Sequence, residues 1–102
     1  YDSALEFLKS ASEYGSNNSQ YRYIYAVALH DLGQPDQSIK ELQAALAISA
    51  YSSNILFALT TYSLELERYR EAKKYSERLV SLDPLNNRYL QLYQDVSAMS
   101  DD

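Results

Sequence analysis

Apolar residues recur at three- and four-residue intervals along almost the whole chain, the spacing that places them on one face of an α-helix. The pattern predicts helices over residues 2–14, 19–32, 35–49, 53–66, 69–81 and about 86–98. Gly15-Ser16-Asn17-Asn18-Ser19 reads as a turn offering Ser and Asn caps. Gly33-Gln34-Pro35 ends one helix with Gly and begins the next with Pro. Asp83-Pro84 closes another, because Pro disfavours a helical residue before it and cannot continue the ladder. Only Ser100-Asp101-Asp102 is expected to fray. One signal disagrees: Tyr21-Arg22-Tyr23-Ile24-Tyr25 alternates like a strand. The apolar run continues through Ala26-Val27-Ala28-Leu29, beyond a typical strand, and the related segment Asn54 to Leu66 is helical on its own terms, so helix is expected here too.

These helices are copies of one unit. Sliding the chain by about 34 residues superposes Tyr1 on Pro35 and Tyr69, Ala4 on Ser38 and Ala72, and Ala11 on Ala45 and Leu79. The same shift places Tyr23 on Phe57, Asp31 on Glu65 and Leu32 on Leu66. Residues 19–52 and 53–86 are then full helix-turn-helix units. Residues 1–18 are the second helix of a truncated unit, and 87–102 a capping helix with its tail. The opening at Tyr1, inside an amphipathic pattern and without an initiator Met, reads as a piece of a longer protein.

Composition narrows the function. The chain has 102 residues, no Cys, one His, two Gly and two Pro. That length makes one modest domain. A thiolate zinc site, a haem-attaching Cys pair, a thiol nucleophile and a His cluster are all ruled out, so no metal or cofactor is expected. Two distant glycines cannot form a dinucleotide fingerprint or a phosphate-cradling loop. A net charge of −5 argues against sequence-independent nucleic-acid binding, and no stretch is apolar enough for a membrane span.

Candidate chemistry meets a simpler reading at each point. His30-Asp31 are adjacent on a helix and do not face each other by spacing, so a surface or groove-lining His is expected rather than a general base. Glu65 and Glu67 read as solvated charges. Arg68, Arg70, Lys73, Lys74 and Arg78, interleaved with Glu71 and Glu77, read as a solvated outer face with helical ion pairs rather than a phosphate or anionic-lipid site. Asn17-Asn18-Ser19 satisfies the glycosylation sequon, yet capping explains it as well. The 11 Tyr suit half-buried positions between helices and exposed contact surfaces alike.

The period, with small residues where two helices cross, resembles the tetratricopeptide repeat (TPR) family. Leu56, Leu59, Ala72 and Pro84 of the second unit match its pattern, with Tyr69 where a second helix begins. Ala26, Leu29, Ser38, Leu42 and Ala45 match in the first, and Tyr1, Ala4, Leu8 and Ala11 match a second helix whose partner is missing. The resemblance implies an all-α fold, a right-handed superhelical stack of antiparallel helix pairs. Departures are Thr60 for Gly or Ala, Ser76 for an aromatic, Leu79 for Ala, and Glu67 for a turn Gly. Leu79 crowds the crossing unless Ser76 provides room. A narrower likeness, carried by YAVALHDLGQPDQSIKELQAAL and LFALTTYSLELERYREAKKYSERLVSLDP, is to C-terminal repeats of bacterial periplasmic multihaem cytochromes, whose haem-binding residues are absent here. It points to the periplasm, with the cytoplasm as the alternative.

By the family's pattern the inner groove is lined from the first helix of each unit. That implies Tyr23, Val27, His30 and Asp31, then Phe57, Thr61, Leu64 and Glu65, continued by Gln91 and Asp95. This apolar and aromatic stripe, edged by acids, would suit an amphipathic helix or peptide with a few positive charges. The family's clamp for a peptide's terminal carboxylate falls on Tyr23, Val27, Ala58, Arg88 and Leu92, of which only Arg88 is suited, so no such clamp is expected. The implied function is a noncatalytic protein-interaction module. The alternative is a docking segment of its own larger chain, such as a multihaem redox protein, with self-association through Leu5, Leu8 and Ala11 of the orphaned first helix.

Overall fold

The structure, a computed structural model, describes residues 19–100. The expected helix over 2–14 with its self-associating face, and Asn17 of the sequon, lie outside the described residues. Those described form five α-helices and no strand: α1 (Ser19–Asp31), α2 (Pro35–Ile48), α3 (Ser53–Glu65), α4 (Tyr69–Leu82) and α5 (Asn87–Met99). Each boundary falls within one residue of the sequence expectation. The strand-like run at Tyr21–Tyr25 is helical, and Tyr25, Ala26, Ala28 and Leu29 form its buried face.

The chain separates into two compact units, one ending at Ala50 and one beginning at Tyr51. In the first, α1 packs on α2. Ala26, Leu42, Ala45 and Ser38 are wholly excluded from solvent, with Leu29 and Ile39 nearly so. Ser38 Oγ donates to Ala26 O at 2.7 Å, a buried bond from one helix to the other. Arg22 reaches Glu41 across the same pair at 3.2 Å, and the Ser19 and Ser49 hydroxyls meet at 2.7 Å. Ser19 thus ties the start of α1 to the residue after α2.

In the second unit α4 packs against both α3 and α5. Leu56, Leu59, Thr60, Ala72, Ser76, Leu79 and Val96 are fully enclosed. Thr60, which stands where the family pattern wants Gly or Ala, turns its hydroxyl onto Leu56 O at 2.8 Å, so a buried polar group is satisfied by its own helix. The two expected departures on α4 compensate each other. In the first unit, Leu42 and Ala45 occupy the positions that Ser76 and Leu79 occupy in the second, and all four are fully buried. Large and small have changed places along one helix face with little change in summed volume.

The turns inside the two units are the same object. Gly33 N donates to His30 O at 3.1 Å and Gln34 N to Leu29 O at 2.9 Å; Glu67 N donates to Leu64 O at 3.0 Å and Arg68 N to Ser63 O at 2.8 Å. Both are Schellman closures, which need a left-handed residue after the helix. Gly33 supplies it at φ 77° and Glu67 at φ 59°. Glycine adopts that conformation freely and Glu does not. The turn Gly missing from the second unit is therefore missing only as a side-chain choice, because the backbone has kept its shape.

Two stability outcomes are expected. Glu67→Gly raises unfolding free energy by about 0.5–1 kcal/mol and Gly33→Ala lowers it by about 1 kcal/mol in urea titrations, a backbone effect because a Cβ at Gly33 meets nothing within 4 Å. Leu79→Ala costs about 2–4 kcal/mol, and adding Ser76→Leu recovers at least about 1 kcal/mol of it; simple additivity of the two losses would disprove the exchange of sizes.

Candidate functional site

Helix α5 begins with a strong cap. Asn86 Oδ1 accepts from Arg88 N at 3.0 Å and Tyr89 N at 3.2 Å, while its Nδ2 donates to Asp83 Oδ2 at 3.3 Å. Asp83-Pro84 has ended α4, and this cap fixes where α5 restarts and hence which of its residues share a face. Arg88, Gln91, Leu92 and Asp95 follow at the i, i+3, i+4, i+7 spacing and lie along one stripe. With Asn87 and with Phe57 of α3 they line an open concavity of about 440 Å³ in the second unit.

Phe57 is 37% exposed, a large ring left at the surface where neighbouring α3 residues Leu56 and Leu59 are fully buried. Leu92 is half-buried, and Arg88, Gln91 and Asp95 are exposed. Gln91 Nε2 donates to Asp95 Oδ1 at 2.9 Å, holding that carboxylate along the rim. The concavity therefore has an apolar floor of Phe57 and Leu92, a cation at one end and a carboxylate at the other.

Of the residues anticipated from the family pattern, the structure brings Phe57, Gln91 and Asp95 together in this concavity. Thr61, Leu64 and Glu65 lie farther along α3 and do not line it. The Thr61 hydroxyl is engaged with Phe57 O at 3.1 Å and Ala58 O at 3.2 Å, Leu64 is half-buried, and Glu65 is exposed. Tyr23, Val27 and His30 are half-buried on α1 in the first unit, with Asp31 exposed at its end. In the family's pattern Arg88 and Leu92 enter only as positions of a carboxylate clamp. The helical spacing from Arg88 to Asp95 was the signal that would have added both to the site.

His30 and Asp31 differ from expectation. Their side chains approach, with His30 Nδ1 3.6 Å from Asp31 Oδ1. Asp31 is the exposed last residue of α1, and its carboxylate turns toward its sequence neighbour there. The separation exceeds hydrogen-bond range. The basic residues of α4 and the turn before it are exposed at Arg68, Arg70, Lys74 and Arg78 and half-buried at Lys73. Among the described residues, no group of three or more His, Cys, Asp or Glu is placed to hold a metal ion, and no helix is long and apolar enough to cross a membrane.

The fold and the repeated crossing define a class: helix-pair repeats, typical noncatalytic interaction modules. The family profile described as tetratricopeptide repeat matches residues 19–51 and 55–84, more than half of the chain. The chain belongs to the tetratricopeptide repeat family. Among solved structures it is similar to the first TPR of Spaghetti (RPAP3) bound to the HSP90 peptide SRMEEVD, with a TM-score of 0.81, 20% identity, and coverage of 96% of this chain and 80% of that one. The Arabidopsis OM64 TPR domain gives a TM-score of 0.81 at 22% identity, over 95% and 80% of the two chains. The Yersinia enterocolitica type III secretion chaperone SycD, in complex with a peptide of the translocator YopD, gives 0.77 at 16% identity, over 97% and 76%. No curated protein matches the chain.

Because Asn86 sets the start of α5, Asn86→Ala is expected to lower stability by about 1 kcal/mol in urea titration and to speed amide exchange in the first turn of α5 ahead of α3; uniform exchange across both helices would show that the cap does not position this face.

Proposed function

We propose that the chain is a noncatalytic protein-interaction module that binds a peptide or helix of a partner protein. Its contacts are the α1 face of the first unit, Tyr23, Val27, His30 and Asp31, and the α3 and α5 residues of the second, Phe57, Thr61, Leu64, Glu65, Gln91 and Asp95. The observation that carries this reading is the concavity at Phe57. There, an aromatic ring and Leu92 remain accessible between polar rim groups, the arrangement in which a partner's apolar anchor is desolvated.

The net charge of −5 and the exposed Asp31, Glu65 and Asp95 favour a partner that carries positive charges. Two structural neighbours hold peptides in their solved complexes, one from HSP90 and one from YopD. A chaperone tail is not the partner proposed here: Tyr23, Val27, Ala58 and Leu92 offer no donor cluster for a terminal carboxylate, and Arg88 alone does not form a clamp. A second reading, a docking segment of a larger bacterial redox protein in the periplasm, is what the narrower resemblance of residues 25–46 and 56–84 would imply; none of the comparisons with known proteins shows that resemblance.

Peptides selected from a random displayed library against this chain test the reading. Affinity for the selected peptides is expected to fall about tenfold or more in Phe57→Ala and in Tyr23→Ala, with far-ultraviolet circular dichroism unchanged. Affinity indifferent to both substitutions would remove these faces from the account, and failure to select any peptide would favour the intramolecular reading.

A further inference from the structure

The concavity of the second unit is polarised, and its polarity defines what fits. Arg88 stands at one end and Asp95 at the other, seven residues and two helical turns apart, or about 10.5 Å along α5. Between them lies the apolar floor of Phe57 and Leu92. The Arg88 guanidinium is exposed and makes no ion pair with another described residue. The backbone N–H groups of Arg88 and Tyr89 are already taken by Asn86, so the guanidinium, not the start of the helix, is the anion-binding element. At the other end Gln91 orients Asp95 at 2.9 Å and leaves carboxylate capacity for an incoming cation.

We infer that this concavity receives an amphipathic helix of a partner protein whose contacting stripe carries an acidic residue, an aliphatic anchor and a basic residue over two turns, the acid meeting Arg88, the anchor Phe57 and Leu92, and the base Asp95. The inference rests on the interaction-module reading and makes it specific. A helix is the commensurate occupant because α5 presents its groups at helical pitch. Residues i, i+3, i+4 and i+7 of a second helix laid along it share one face at the same spacing, whereas an extended chain sends successive side chains to opposite sides. Charge order is fixed relative to α5, so a helix in either chain direction docks provided its acid lies at the Arg88 end. A purely basic partner, attractive to the chain's net charge, is disfavoured locally because it sets a cation against Arg88.

The probes are three acetylated, amidated alanine-rich helical peptides. They carry Leu at i+3 and i+4 and, at i and i+7, respectively, Glu and Lys, two Lys, or two Glu. Blocked ends exclude capture of a terminal carboxylate. Titrated by fluorescence anisotropy at low salt against the whole chain, the Glu/Lys peptide is expected to bind about fivefold more tightly than either like-charged peptide. Arg88→Glu is expected to transfer the preference to the two-Lys peptide, and Asp95→Lys to the two-Glu peptide. Equal affinities for all three, no binding by any of them, or preferences untouched by both charge reversals would overturn the inference. Phe57→Ala separates the two levels. If it abolishes binding while charge makes no difference, the interaction surface stands and the bipolar specificity falls; if it leaves every affinity intact, both fall.

Discussion

A pair of short helices has only one place to hide its apolar surface, the line along which the two cross, and the rest of this protein depends on how those crossings are filled. Ala26 and Ser38 sit fully enclosed in the first unit, and Thr60 and Ala72, one repeat later, in the second. Small side chains there allow close approach of the backbones, and each methylene buried contributes about 0.8 kcal/mol. Close approach also brings polar atoms inside. The Ser38–Ala26 and Thr60–Leu56 bonds are the local answer, each giving a buried hydroxyl a carbonyl within 2.8 Å. With the inner face committed to packing, the outward face of α3 is free to display Phe57.

Most of this was legible in the chain itself, and the reason is repetition. A single segment such as Tyr21–Tyr25 carries contradictory local signals, and only its relation to Asn54–Leu66 one period later decides for helix. The helix ends were legible from local residues: Gly33-Gln34-Pro35 marks the turn inside the first unit, and Asp83-Pro84 marks the end of the second helix of the second. What the sequence concealed were properties of side chains in three dimensions. That Glu67 holds the same left-handed bend as Gly33 follows from hydrogen bonds at both ends of the turn, which propensity does not register. The exchange of large and small at Leu42/Ala45 and Ser76/Leu79 was half visible, since Ser76 is the smaller neighbour that a crowded Leu79 needs.

Of the contact residues expected from the family's pattern, Phe57, Gln91 and Asp95 line one concavity of the second unit. That pattern treated α5 as a continuation of rows begun on α1 and α3. In the folded second unit α5 is the principal wall. It supplies Asn87, Arg88, Gln91, Leu92 and Asp95 against a single ring from α3. Comparison with a clamp asks of Arg88 only whether it can hold a terminal carboxylate. Its distance from Asp95 along one helix asks a different question, and that distance is read from sequence as soon as the helix is known to be continuous through Met99.

The wall of the concavity is also the most lightly anchored part of the described fold. Of α5, only Val96 is buried, whereas α3 buries Ile55, Leu56, Ala58, Leu59, Thr60 and Ser63. A helix held by so little interior surface detaches at a smaller free-energy cost than the pair beneath it. Occupancy and order are therefore linked: a partner bound as proposed would bind only the form with α5 in place, and its binding would add to the resistance of the second unit to unfolding. Bound and unbound forms would then differ in how readily α5 opens, and so in how readily a protease could cut within it.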